Sequence, residues 1–203
     1  MNFDPKVIDT QSCYRLLVGS IIPRPIAWIS SLNADDVLNL APYSFFTVAS
    51  CNPPVLAVTQ VTPRDRAAKD TLHNLRTTGE CVVNIVSEAL AEVMNATCAD
   101  YPASISEFDA VGIAREASHV VAPAGVRDAS VRFECRLREI IDVSSLPTGG
   151  QLMLLDVVNI YASDSVMING SVSPQLLGAV GKLGGDLYTS TRDTFEMERP
   201  VWK

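Results

Sequence analysis

Hydrophobic and polar positions alternate most regularly over residues 131–138. The odd-numbered positions are apolar, and the even-numbered ones are three arginines and Glu134. A period of two is typical of a strand with one face in water. Residues 151–162 form a second run rich in Val, Ile and Leu, and Pro147 and Gly149 lie between the two runs. This order predicts a β-hairpin, with Glu134 on its solvent face.

Four shorter apolar runs, each bounded by Asn, Asp, Pro or Gly, predict further strands. They cover residues 26–32, 38–43, 55–61 and 81–86. About six short strands separated by turn residues favour a barrel or a sandwich.

Helices are fewer, and their apolar residues recur at a spacing of three or four. One is predicted to begin near Asp70, a good N-cap residue, and to end at Gly79, which suits the left-handed position after a helix. A second is predicted after Ser87, and short turns over residues 13–18 and 106–111. The expected fold class is therefore mainly β, a β-barrel with peripheral α-helices.

Composition adds that the chain has fewer charged residues than a soluble domain usually carries. Apolar residues make up 47% of the chain and charged residues 19%, with a mean hydropathy of +0.18. No apolar run approaches the roughly 18 residues that span a bilayer, so we expect no membrane segment. The apolar surplus indicates oligomerisation. Because no Pro-, Ser- or Gly-rich linker interrupts the chain, residues 1–203 are expected to form one domain.

Charge and cysteine usage exclude several classes of function. A net charge of −7 argues against a nucleic-acid-binding protein. Residues 1–11 have neither a basic leader nor an apolar core, so no signal peptide is expected. Five cysteines without a CxxC pair favour a reducing, cytoplasmic location, with all five as small buried residues. The two histidines form no zinc pattern, so neither a metal site nor a catalytic acid or base is predicted.

Residues 64–71 are the most basic stretch of this acidic chain, and they lead into the predicted helix near Asp70. A helix N-terminus presents free N–H groups and the positive end of the helix dipole, so it attracts anions. The stretch therefore predicts a phosphate site, although a solvated basic loop with Asp70 as a simple cap also fits.

Two further segments are candidates for contact with a flat ligand. Within residues 39–46, Pro42 cannot donate to a β-ladder and so indicates a sheet edge or a bulge. The aromatic residues and the serine that follow it fit a pocket wall for a planar heterocycle, or equally an ordinary core strand. The glycines of residues 178–185 match neither the GxGxxG nor the GxxxxGK(S/T) nucleotide-binding loop. They predict either a flexible connection or a turn that lies against a flat ligand.

Taken together, these segments resemble the flavin reductase-like family of FMN-binding split-barrel proteins, in particular its flavoredoxin-like branch. The resemblance covers about residues 14–199. The segments that carry it are PRPIAW at 23–28, NLAPYSFF at 39–46, NPP at 52–54, KDTL at 69–72 with Asn74, CVVN at 81–84, EF at 107–108, EC at 134–135 and GKLGGDLY at 181–188.

The resemblance implies non-covalent FMN at the edge of a homodimer interface. Its implied site residues are Arg24, Ser30 and Ser31 near the ring, Ala41, Pro42, Tyr43, Ser44 and Phe45 along the ring, Arg66, Lys69, Asp70 and Thr71 at the phosphate, and Lys182, Gly184, Gly185 and Tyr188 in the closing turn.

The activity that the resemblance implies is that of an NAD(P)H-dependent flavin reductase. Hydride passes from the nicotinamide to FMN, and electrons then pass to a small-molecule or redox-protein acceptor. A different class also fits, an FMN-binding electron carrier with no nicotinamide reaction of its own. A related split barrel that holds heme or pyridoxal phosphate is a third alternative.

Overall fold

A computed structural model describes residues 1–61 and 69–202. Its helices are α1 (Thr10–Ser20), α2 (Asp70–Thr78), α3 (Ala91–Ala96), α4 (Glu107–Val111) and α5 (Pro174–Leu177), with 3₁₀ turns at Glu88–Leu90 and Asp164–Val166. Its strands are β1 (Arg24–Pro25), β2 (Ala27–Leu32), β3 (Leu38–Tyr43), β4 (Phe46–Cys51), β5 (Pro54–Val61), β6 (Glu80–Ile85), β7 (Arg115–Glu116), β8 (Gly125–Val126), β9 (Val131–Asp142), β10 (Gly150–Ala162), β11 (Met167–Ile168), β12 (Ser171–Val172), β13 (Val180–Lys182) and β14 (Tyr188–Ser190). No helix in these described ranges is long and apolar enough to cross a membrane.

The main sheet has seven antiparallel strands in the order β3-β2-β6-β9-β10-β5-β4. Its two edge strands, β3 and β4, are consecutive in the chain and only Ser44 and Phe45 separate them. Two residues span about 10 Å at most. The sheet therefore curls until its edges meet, and it forms a barrel that is split between β3 and β4. The predicted fold class is confirmed.

The predicted hairpin of β9 and β10 is confirmed, but the prediction that Glu134 faces water is wrong. Glu134 is 5% exposed. Its carboxylate accepts the N–H groups of His119 at 2.8 Å and Val120 at 2.6 Å, and the Asn159 amide at 2.9 Å. Glu134 lies on the same face of β9 as Arg136, since both side chains contact Val120, and the chain segment at residues 119–120 covers its carboxylate.

Helix α2 ends as predicted, since Gly79 takes the left-handed conformation with φ +73°. The N-cap is Lys69, however, and not Asp70 as predicted. Asp70 is the first helical residue instead, where a carboxylate interacts favourably with the helix dipole. Helix α1 is longer than the turn predicted over residues 13–18, because Asp9 caps it by accepting the N–H of Ser12 at 3.0 Å.

Two buried clusters lie on opposite faces of the strand pair β2–β3. Inside the barrel, Leu72 and Leu75 of α2 pack against strand residues that include Ile29. On the outer face, Trp28 and Leu40 pack against residues of α3 and α4. Both faces of the pair are therefore covered, and among the described residues the free edge of β3 lies between α2 and α4.

The prediction that all five cysteines are buried is wrong. Cys81 and Cys135 are buried and lie opposite each other on β6 and β9. Cys13 is half-buried, whereas Cys51 and Cys98 are exposed. All five are free thiols.

Gly79 and Gly19 form a matched pair for testing the backbone geometry. We expect Gly79→Ala to lower the free energy of unfolding by about 1 kcal/mol, because an L-residue is strained at φ +73°. Gly19 lies inside α1 with open space where the methyl group of an alanine would lie, so Gly19→Ala is expected to raise the same quantity by up to about 1 kcal/mol. Urea denaturation measures both, and equal effects of the two substitutions would contradict the assignment.

Candidate functional site

A cleft lies along the free edge of β3, and it consists of two adjoining cavities of about 120 Å³ each. The first lies between the N-terminus of α2 and residues 97–101. The second lies between residues 42–44 and the glycine-rich turn that holds Lys182. Pro42 and Cys98 line both cavities, so the two lie side by side.

Pro42 lies on an edge strand of the sheet, as predicted. The N–H of Leu40 points away from the sheet and donates to Oε2 of Glu107 at 2.8 Å. Backbone groups of a strand alternate in direction, so position 42 also faces the cleft. Because proline has no N–H, this position carries no donor that would need a partner. Its carbonyl group points toward the cleft.

The N-terminus of α2 supplies several hydrogen-bond donors to the first cavity. The N–H groups of Asp70 and Thr71 have no intrahelical acceptor, because the first turn of any helix lacks one. Thr71 Oγ1 accepts the amide of Asn39 at 3.0 Å, which leaves its hydroxyl hydrogen available to donate. The ammonium group of Lys69 lies 5.4 Å from the centre of the Tyr43 ring.

A buried carboxylate, that of Glu107, lies at the inner side of the first cavity. Burial raises the pKa of Glu107, the hydrogen bond from Leu40 opposes this shift, and the charge of Asp70 adds to it. Asp70 and Glu107 thus place negative charge beside the first-turn N–H groups of α2, and Lys69 offsets it.

We expect Glu107 to give the folded protein a pH-dependent stability. Its pKa is higher in the folded state, so the folded state binds the proton more readily. The free energy of unfolding therefore falls as pH rises from the ordinary value of 4.5 to the raised pKa. Glu107→Gln keeps an acceptor for the Leu40 N–H but removes this contribution. Denaturant titrations at several pH values test this, and an unchanged slope in the variant would contradict it.

The glycine-rich turn forms the other end of the cleft. Lys182 Nζ donates to the carbonyl of Gly185 at 2.6 Å and lies 3.9 Å from the centre of the Tyr188 ring. The Tyr188 hydroxyl donates to Asn95 Oδ1 at 3.2 Å. Burial lowers the pKa of Lys182, with the charge of Asp186 opposing. Gly185 makes this tight turn possible, because its φ is +57°.

Arg24 is held inside the protein and is only 7% exposed. Its guanidinium donates to the carbonyl groups of Val18, Ile21 (3.0 Å) and Leu183 (2.9 Å). Its Nε lies 3.4 Å from Ser44 Oγ. Arg24 thus joins the end of α1 and the glycine-rich turn to the split of the barrel.

The structure does not bring every predicted site residue to the cleft. Ser30 and Ser31 are fully buried, Ser30 donates to the carbonyl of Ala124, Ser31 accepts from the amide of Asn74, and neither is among the residues found to line the cleft. Gly184 and Gly185 shape the turn behind Lys182 rather than line the cleft. Phe45 lies past the split, in an adjoining apolar groove. Arg66 lies outside the described residues.

Sequence reasoning gave no site role to several residues that line the cleft, and three of them bear on its geometry. Asn39 orients the Thr71 hydroxyl, Glu107 holds the edge of β3, and Cys98 lines both cavities. Asn39 and Glu107 belong to segments that carry the family resemblance, but the sequence assigned neither residue a role in the site. Cys98 lies in no such segment, and only the path of the chain after α3 brings it to the cleft.

The fold and the cleft define a split-barrel protein with a helix N-terminus beside the edge strand of its sheet. The sequence profile of the flavin reductase like domain matches residues 18–177. The chain therefore belongs to the flavin reductase-like family, and the resemblance found in the sequence is confirmed.

Comparison with relatives and solved structures supports the same assignment. An uncharacterized protein of Aquifex aeolicus is 34% identical over 189 residues, which is 93% of this chain and 94% of the relative. The nitrilotriacetate monooxygenase component B of Bacillus cereus is 31% identical, covers 97% of this chain and 98% of its own, and has a TM-score of 0.92. The 2-nitrobenzoate 2-nitroreductase of Pseudomonas fluorescens is 31% identical, covers 98% and 96%, and has a TM-score of 0.88.

Proposed function

We propose that this protein binds FMN non-covalently in the cleft and is an NAD(P)H-dependent flavin reductase that passes electrons to a second acceptor. The observation that carries the proposal is the arrangement of the two adjoining cavities. Donors that suit a phosphate lie at one end, and an open strand edge leads from them to a lysine and a tyrosine at the other. The two similar solved proteins are named as a monooxygenase component and a nitroreductase, and both names denote redox enzymes.

The FMN phosphate fits the N-terminus of α2. The first-turn N–H groups, the Thr71 hydroxyl and the Lys69 ammonium are all donors, which is the chemistry that phosphate oxygens require. Asn39 acts on the phosphate through Thr71, because it occupies the acceptor side of that hydroxyl. Lys69 supplies the positive charge that a dianion needs beside Asp70 and Glu107.

The isoalloxazine ring fits along the strand edge and the second cavity. The carbonyl of Pro42 faces the cleft, where it can accept a hydrogen bond from the polar pyrimidine edge. Tyr43 and Ser44 line the cavity on the same side, and Lys182 with Tyr188 lies opposite. The carbonyl groups of Gly185 and Leu187 hold the ammonium of Lys182 in place.

When bound, FMN accepts a hydride and passes electrons on, and these steps belong to the cofactor. The residues of this chain bind the phosphate, orient the ring and leave one side of the cleft open to a nicotinamide. Hydride transfer itself requires no acid or base from the protein, in agreement with a chain that has two histidines.

We further propose that residues 1–203 act as one domain, that two copies form a homodimer with FMN near the interface, and that the protein is cytoplasmic. The apolar surplus and exposed apolar side chains support association of two copies. Five free thiols support a reducing compartment.

The visible spectrum of the purified protein tests the cofactor. We expect a flavin spectrum, with release of the chromophore on denaturation and its identification as FMN. If the protein is isolated without cofactor, titration with FMN should quench the flavin fluorescence at one equivalent per chain. Absence of both signals would contradict the proposal.

A further inference from the structure

A third cavity, of about 360 Å³, lies between α3 and the glycine-rich turn. Lys182 and Tyr188 line this cavity and also line the second one, where we place the flavin ring, so the two cavities lie side by side. The other residues that line the third cavity are Ala91, Glu92, Asn95 and Asp186. Because these four lie outside the proposed FMN site, FMN bound as proposed leaves the third cavity to another ligand.

The third cavity has the hydrogen-bonding character of a site for hydroxyl groups. Glu92 and Asn95 are three positions apart and so lie on the same face of α3, and Asp186 adds a second carboxylate from the turn. Carboxylates only accept hydrogen bonds. Asn95 Oδ1 accepts from the Tyr188 hydroxyl at 3.2 Å, which leaves the amide hydrogens of Asn95 to donate. A sugar hydroxyl suits both groups, because it can donate to a carboxylate and accept from an amide.

Lys182 places a positive charge at the boundary between the second and third cavities. Its Nζ donates to the carbonyl groups of Gly185 at 2.6 Å and Leu187 at 3.4 Å. An ammonium group has three hydrogens, so one can reach a ligand that passes from one cavity to the other. An anionic linker such as a diphosphate fits this position. A flat ring at the flavin, then a diphosphate, then a group rich in hydroxyls is the order of groups in a nicotinamide dinucleotide.

We propose that the third cavity binds the adenosine ribose of NADH, and that Glu92 and Asp186 select NADH over NADPH. The inference rests on the proposed reductase and names its reductant. The 2′- and 3′-hydroxyl groups of NADH can both donate to these carboxylates. NADPH carries a phosphate at the 2′ position, so it brings negative charge to the carboxylates and loses one donor. Acidic residues that bind the ribose hydroxyl groups select NAD by the same chemistry in other dinucleotide-binding proteins.

Charge repulsion sets the size of the selectivity. Two like unit charges about 4 Å apart in water cost about fivefold in binding constant, and the cost is greater near a protein surface, where the dielectric constant is lower. The 2′-phosphate of NADPH is close to a dianion and meets two carboxylates, whereas the charge of Lys182 is already matched by the diphosphate. We therefore expect NADH to bind at least about tenfold more tightly than NADPH.

Anaerobic stopped-flow reduction of the FMN-loaded protein measures the affinity for each nucleotide. The rate of flavin bleaching against nucleotide concentration gives a dissociation constant and a limiting rate constant. We expect the dissociation constant for NADH to be at least about tenfold lower than that for NADPH. The limiting rate constants should be similar, because the same nicotinamide meets the flavin. Equal affinities, or tighter binding of NADPH, would overturn this inference and leave the reductase standing.

A double variant tests the two carboxylates. Glu92→Gln combined with Asp186→Asn keeps an oxygen acceptor at each position and removes both charges. We expect it to bind NADPH at least about fivefold more tightly than the native protein does, with a smaller change for NADH. Glu139→Gln combined with Asp164→Asn is the matched control, since it removes two charges at exposed residues that do not line the third cavity. A native ratio of the two affinities in the first variant, or an equal shift in the control, would overturn the role of these carboxylates.

Equilibrium binding of ADP-ribose and 2′-phospho-ADP-ribose separates this inference from the reductase on which it rests. Neither compound carries a nicotinamide, so calorimetric titration of the FMN-loaded protein tests the third cavity without hydride transfer. We expect tighter binding of ADP-ribose, and a smaller preference in the double variant of Glu92 and Asp186. Equal binding of the two compounds, or binding of neither, would overturn the inference. A preference for ADP-ribose without bleaching by either nucleotide would overturn the reductase and leave the ribose site standing.

Discussion

Lys69→Ala is expected to weaken FMN binding by about 1.5–3 kcal/mol, or roughly 10- to 150-fold in dissociation constant. The ammonium group lies at the N-terminus of α2, where the carboxylates of Asp70 and Glu107 also line the cavity. Without Lys69, a phosphate dianion there would meet the acidic residues Asp70, Asp100 and Glu107 with less positive charge to offset them. Fluorescence titration of FMN measures the change.

Riboflavin is the control ligand for this prediction, because it carries the same ring without the phosphate. We expect Lys69→Ala to leave the dissociation constant for riboflavin within about twofold of the native value. Lys6→Ala, at an exposed lysine of the N-terminal region, is the control variant and should change neither the FMN nor the riboflavin dissociation constant. An unchanged FMN affinity in Lys69→Ala, or an equal loss for both ligands, would show that the phosphate lies elsewhere.

Arg24→Ala is expected to lower the free energy of unfolding by about 3 kcal/mol in the absence of flavin. Hydrogen bonds from a charged donor contribute about 1.5–3 kcal/mol each, and water replaces part of what is lost. The substitution leaves carbonyl groups of Val18, Ile21 and Leu183 without the guanidinium that joins them. Urea denaturation of the flavin-free protein measures the loss.

The geometry of Arg24 also predicts how its variants rank in free energy of unfolding. Arg24→Lys keeps the charge but cannot reach three separate carbonyl groups with a planar fork, so we expect an intermediate loss. Arg24→Met keeps the packing of the aliphatic part of the side chain but has no donors, so its free energy of unfolding should be close to that of Arg24→Ala. A native-like stability of Arg24→Ala combined with lost FMN binding would contradict the structural role and favour direct contact with the cofactor.

The strands that the sequence predicted best have strong local signals. The β9–β10 hairpin has alternation on one strand and turn residues between the two, and β3 coincides with the predicted range of residues 38–43. Strand β4 was not predicted, because its mixed small and polar residues show no apolar alternation. The burial of Glu134 depends on His119 and Val120, which lie 15 and 14 positions away and cover its carboxylate, so the alternation within β9 does not reveal it.

The candidate site also combines features with a local sequence signal and contacts that depend on the folded chain. The predicted helix start and Pro42 do line the cleft, because a helix N-terminus and a proline in a strand have local physical consequences. The contacts that organise the cleft are long-range. Asn39 meets Thr71 across 32 positions and Glu107 meets Leu40 across 67, so only the folded chain shows that they act together.

Anaerobic mixing of the FMN-loaded protein with NADH or NADPH decides whether the protein is a flavin reductase. We expect the visible absorbance of the bound flavin to be lost on addition of at least one of the two nucleotides, and to return when air is admitted. Oxidised flavin absorbance that stays unchanged over minutes with both nucleotides would contradict a flavin reductase and leave a flavin-binding electron carrier.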